Sequence, residues 1–144
     1  MDAHTASTLL PEQHYSLTLE QVTPRSPGQL RRVIGALLET WGQAELVDDA
    51  QFVATELLTN VLKHAGPKCR VVLSAGSYGA HIHVRDFSTT LPIRRPASDT
   101  QENGRGIQAV GRCATLTVQR LPRGKIVAAF LAAPDRRPKT HHTG

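Results

Sequence analysis

Residues 44–65 read AELVDDAQFVATELLTNVLKHA, and this stretch decides the fold. At about 100° per residue, Leu46, Ala50, Val53, Ala54, Leu57, Leu58, Val61, Leu62 and Ala65 fall on one broad arc, the mark of a helix with a buried face. Gly66-Pro67 closes it. Working back, Ser26-Pro27 opens an earlier helix. Serine can cap the free amides, proline suits the first helical position, and Gln29 completes a capping box with Ser26. Leu30, Val33, Ile34, Leu37, Leu38 and Trp41 continue at helical spacing to a stop at Gly42. Residues 15–22 alternate through Tyr15, Leu17 and Leu19 as a half-buried strand.

Forward of the long helix, residues 69–75 alternate through Val71 and Leu73, and residues 80–86 through Ile82 and Val84. Gly76-Ser-Tyr-Gly79 joins them as a hairpin. Residues 87–103 hold Pro92 and Pro96 and show little periodicity, which makes a long loop of the kind that carries function. A short helix is expected over 105–113. Strands over 115–121 and 125–132 then turn at Pro122-Arg-Gly124. Strands that meet in hairpins cannot all be parallel. The expected fold is therefore an α/β (α+β) two-layer sandwich, a mixed, mostly antiparallel sheet with helices on one face. It spans residues 14–132, between a loose arm over 1–13 and a disordered basic tail over 133–144.

Composition narrows the class. A chain of 144 residues suits one domain. Its 40% hydrophobic and 20% charged residues can build one core. Aromatic residues make up only 4%, so that core must be aliphatic. Two cysteines, Cys69 and Cys113, are too few for a disulfide scaffold. No apolar run reaches the ~18 residues of a membrane span, and the N-terminus lacks the pattern of a secretory signal. The expectation is a soluble cytoplasmic domain with no membrane partner. The net charge of +5, with 13 arginines against 4 lysines, points to an anionic partner: nucleotide phosphates, nucleic acid or an acidic protein.

Chemistry concentrates on one margin of the long helix. With Leu46 at 0°, Lys63, Glu56, Asn60 and His64 fall at about −100°, −80°, −40° and 0°. Glu56, Asn60 and His64 follow an i, i+4, i+8 spacing and climb one edge of the buried face. The plain alternative is a polar border that meets water. Two further features weigh against it. Asp86 shares a strand face with Ile82 and Val84, and an inward carboxylate is costly unless something bonds to it. Asn103-Gly-Arg-Gly-Ile107 opens a helix after the long loop, where glycines and helix-start amides favour an anion. Neither a P-loop nor a full Gly-x-Gly-x-x-Gly follows a strand, so a nucleotide would bind another way.

Taken in order, Glu56-Leu-Leu-Thr-Asn60-Val-Leu-Lys-His-Ala65, Asp86 and Gly104-Arg-Gly-Ile107 resemble the N box, the G1 aspartate and the glycine motif of the GHKL ATPases, which include gyrase and the histidine kinases. Through Gly66 the pattern is more closely similar to the histidine-kinase-like ATPase domains of actinobacterial anti-sigma factor serine/threonine kinases. The resemblance covers residues 14–132 and implies a Bergerat-type ATP-binding fold. It implies that Asn60 coordinates Mg²⁺ and that Glu56 is the general base. Lys63 and His64 would lie near the phosphates, and Asp86 would accept the adenine amino group. Residues 87–103 would be the lid. Gly104, Arg105 and Gly106 would hold phosphate oxygens, with Ile107 completing the motif. Such a protein binds ATP and a sigma factor and phosphorylates a serine of an anti-anti-sigma partner. Relatives are often dimers, so the resemblance leaves a homodimer open. Mg²⁺ prefers hard oxygen ligands, and phosphoryl transfer needs mainly positioning and charge stabilisation, so these residue types suit the role.

The pattern departs at one place. G1 normally continues Asp-x-Gly-x-Gly, and here it reads Asp86-Phe-Ser-Thr-Thr90. The alternative reading is a non-catalytic ATP-binding or protein-interaction module with a degenerate nucleotide site. Other candidates carry less. His81 and His83 share a strand face but have no evident third ligand for a metal. His141-His142 lies in the tail. Cys69 and Cys113 read as packing residues. Arginines crowd the C-terminal half without a helix-turn-helix signature or an aromatic stacking platform, so nucleic acid is not expected.

Overall fold

The computed structural model describes residues 12–88 and 109–134. The arm over 1–11, the lid from residue 89, the motif Gly104, Arg105, Gly106 and Ile107, and the tail beyond 134 lie outside the described residues. Strand β1 (Gln13–Leu19) leads into helix α1 (Ser26–Thr40). A 3-10 turn (Ala44–Leu46) runs directly into helix α2 (Val47–His64). Strands β2 (Cys69–Gly76), β3 (Gly79–Asp86), β4 (Thr115–Arg120) and β5 (Lys125–Ala132) follow. The sheet order is β1-β2-β3-β5-β4. All four described pairings are antiparallel, so the sheet is not mixed. Both helices cover one face, giving the expected two-layer α+β sandwich.

Period-two alternation explains the two sheet faces. Cys69, Val71, Leu73 and Ala75 of β2 and Ala80, Ile82 and Val84 of β3 point inward, and all are buried. They meet Leu30, Ile34 and Leu38 of α1 and Ala50, Val53, Ala54, Leu57, Leu58 and Val61 of α2. The core is aliphatic, as the scarcity of aromatics requires. Burying a leucine such as Leu58 at 0% exposure stabilises by ~1.5–3 kcal/mol, so the apolar arc of α2 fixes its roll about its axis. Among the described residues no helix is long and apolar enough to cross a membrane.

Local chemistry differs from expectation at α1. Ser26 does not cap the helix and forms no box with Gln29. Its Oγ instead accepts the Thr23 N–H at 2.9 Å, while the Ser26 N–H donates to the Thr23 carbonyl at 2.9 Å. The serine reaches backward because Thr23-Pro24 folds under it, and it is buried. The stop at Gly42 holds: φ is +76°, and the next amide, that of Gln43, donates to the Leu38 carbonyl at 2.7 Å. Gln43 is itself buried, and its Nε2 donates to the Gly76 carbonyl at 2.7 Å. That bond ties the helix connection to the β2–β3 hairpin. At the other boundaries, the strand begins at Gln13, inside the expected arm, and packing continues past the expected end. Ala133 is buried, and its N–H donates to the Tyr78 carbonyl at 3.0 Å. Of the expected helix over 105–113, residues 109–111 are helical, and Val110 is buried in the core.

Candidate functional site

The apolar arc of α2 faces the sheet, so its margin is carried to the rim of the sandwich. Glu56 and Asn60 are half-buried there, and Lys63 and His64 are exposed at the last turn. At 1.5 Å per residue, Glu56 and His64 stand about 12 Å apart along the axis. Among the described residues no hydrogen bond or ion pair engages the side chains of Glu56 or Asn60. These two side chains therefore keep their hydrogen-bonding capacity unused among the described residues.

Below His64 the chain turns at Gly66, whose φ of +88° ends the helix and reverses the backbone. His64, Ala65, Gly66, Pro67 and Lys68 form one wall of a cleft of about 440 Å³, and Phe87 and Ser88 form the other. Phe87 is gripped by cations. Lys68 Nζ lies 4.9 Å from the ring centroid and Arg85 Cζ lies 4.7 Å from it. The cleft thus joins the end of the polar margin to the two residues that follow Asp86.

Asp86 faces inward, as its place on β3 predicts, and is only 2% exposed. Its carboxylate does not line the cleft. Oδ2 receives Lys125 Nζ at 2.9 Å, and Oδ1 accepts the Ser88 N–H at 3.3 Å. Gly124, at φ +79°, packs so closely that a Cβ there would lie on the Asp86 carbonyl and carboxylate. Cys69 is the cross-strand partner of Asp86, and burial, then the Asp86 charge, pushes its thiol up to about 11. A thiol in that state is an inert packing residue, in accord with its reading from the sequence.

Lys125 and Gly124 are the site residues that sequence reasoning missed. They begin β5, which pairs with β3 so that Ile126 stands opposite Arg85. Only that pairing brings Lys125 to Asp86, 39 residues away in the chain. The usable signal was an inward aspartate in need of a cation, with a lysine at the head of a later strand. A carboxylate offers about four lone-pair sites, so Asp86 retains acceptor capacity beyond its two partners.

No family model matches the sequence, and no curated protein does. Among solved structures, the histidine kinase domain from Erythrobacter litoralis EL346 blue-light activated histidine kinase resembles the chain with a TM-score of 0.46 and 18% sequence identity. The match covers 76% of this chain and spans 60% of the length of that one.

Cation chemistry at the site is limited. Among the described residues no group of three or more His, Cys, Asp or Glu side chains could hold a metal ion. A bound divalent cation would have to take most of its ligands from a phosphate chain and water. The side-chain amide of Asn60, half-buried and unpartnered, fits a single hard-oxygen contribution to such a set. His81 and His83 stand on the opposite face of the sheet with ring centroids 5.9 Å apart. Burial, then the neighbouring His83, pulls His81 below its ordinary value, with Glu12 opposing them.

Proposed function

We propose that the chain binds Mg²⁺-ATP and acts as a regulatory kinase of the anti-sigma type, transferring the γ-phosphoryl group to a serine of an anti-anti-sigma partner. The observation that carries this reading is the row Glu56, Asn60, His64: unpartnered at its first two positions and ending at a cleft whose far wall begins one residue past Asp86. In this reading Asn60 lends its amide oxygen to the cation. Lys63 and His64 face phosphate oxygens. Glu56 accepts the proton of the attacking hydroxyl. Asp86 offers an oxygen to the exocyclic amine of the base. The bound Mg²⁺ supplies charge neutralisation on the phosphates. A sigma factor, an anti-anti-sigma protein and a second copy of the chain are the partners that the resemblance implies.

The second reading, a nucleotide-binding or protein-interaction module without transfer activity, draws support from the Asp86 corner. Lys125 and Ser88 already hold both carboxylate oxygens, and residues 87–90 lack the glycines that would let a base approach. Calorimetric titration with Mg²⁺-ATP tests nucleotide binding. Wild type should bind, and Asn60→Ala should lose the Mg²⁺-dependent part of the affinity. Equal binding by both removes Asn60 from the site. Transfer of labelled phosphate to the partner then separates the two readings. A Glu56→Ala variant as fast as wild type would remove the general base.

A further inference from the structure

The sheet face turned away from the helices carries side chains of its own. On β2 and β3, Arg70 and Arg85 are direct cross-strand partners on this face. Like charges in that position repel. No carboxylate relieves them: none of the ion pairs among the described residues includes either arginine. Arg70 Nε donates only to Ser16 Oγ, at 3.0 Å. Arg85 lies over Phe87, and its buried Nε has no hydrogen-bond partner. Next to this pair the register sets Val72 opposite the exposed His83, His83 opposite Ala128 and Ile126 opposite Arg85, so half-buried aliphatic side chains flank the arginines. The face is therefore cationic at one end and weakly apolar beside it. Of its neighbours, Glu20 is paired with Lys68 at 4.0 Å, and Glu12 sits at the far end against His14.

We infer, independently of any nucleotide, that this open face docks an acidic protein segment, with carboxylates on Arg70 and Arg85 and apolar side chains against the flanking Val72 and Ile126. A carboxylate between the two guanidinium groups would turn a repulsive pair into a bridged one. Nucleic acid fits less well, because the rings on this face are already engaged. Tyr78, His81 and Phe130 pack on one another with centroids 4.9–6.3 Å apart, and Phe87 is held by two cations. Base stacking needs free ring faces.

The test uses the full chain and a fluorescein-labelled peptide of alternating glutamate and leucine, read by anisotropy at low salt. A peptide with lysine in place of glutamate and a labelled oligouridylate are the comparison probes. The glutamate peptide should bind, and added salt should weaken it. Arg70 is exposed, so Arg70→Glu keeps the fold. Its melting temperature should hold or rise by about 1–3 °C, as opposite charges replace like ones across the strands. Its affinity for the glutamate peptide should fall about tenfold or more. Arg85→Gln should weaken the same peptide several-fold. Undiminished binding by Arg70→Glu, no binding by wild type, or a preference for the oligouridylate or the lysine peptide overturns the proposal.

Discussion

Along the edge of α2, Glu56 and Asn60 stand half-buried without partners among the described residues. At the end of β3, Asp86 is 2% exposed, bonded to Lys125 and Ser88 and covered by Gly124. The last turn of the helix and the residues just past the strand line one cleft, and both regions held polar residues that the sequence marked for chemistry. The difference teaches that one motif can mix two kinds of polar residue. The helix margin has spare hydrogen-bonding capacity that the fold does not use. The strand end is a node on which the fold itself depends.

This contrast can be broken by mutation, and the largest effect is expected at Gly124. Gly124→Ala must hold a left-handed φ and push into the Asp86 backbone, so stability should fall by about 3 kcal/mol or more in urea unfolding. Lys125→Ala comes next. Breaking a fully buried pair costs ~3–5 kcal/mol, and the 38% exposure of Lys125 lets water take over part of its role, so ~2–3 kcal/mol is expected. Adding Asp86→Asn should recover part of that loss by removing the stranded charge. If Lys125→Ala is neutral, Asp86 is no node and the contrast collapses.

A smaller effect should appear with pH on the far face of the sheet. Burial lowers the folded pKa of His81 below its ordinary value of 6.5, so the unfolded chain binds the proton more readily. The resulting stability is complete above pH 6.5 and is lost as pH falls from there through the lowered folded value. Melting temperature measured against pH should show this decline, and His81→Phe should flatten it. The smallest effects belong to the helix margin. Glu56→Gln and Asn60→Ala should each change stability by no more than about 0.5 kcal/mol. A loss of more than ~1 kcal/mol at either would show that the margin is structural after all.

Much of the fold was legible because its signals are local. The 3.6-residue period placed α2 within a few residues, and alternation placed the β2–β3 and β4–β5 hairpins. The position of β4 at the sheet edge, outside β5, was not legible, since nothing local says which strand β5 joins. The reversed role of Ser26 was hidden for a related reason. A serine before Pro27 can reach forward or back, and the fold of Thr23-Pro24 decides. At the site, helical geometry alone put Glu56, Asn60 and His64 on one edge. The inward turn of Asp86 followed from period two. Its partner did not, because Lys125 reaches it only through a pairing across 39 residues.

The bond from Gln43 to the Gly76 carbonyl has a practical result for anyone altering the chain. Residues 41–43 look like an ordinary connector, the usual place to splice in a tag or cut with a protease. Here that connector is a strut for a hairpin tip 33 positions downstream. Lengthening it should loosen Ser77 and Tyr78 before it disturbs either helix.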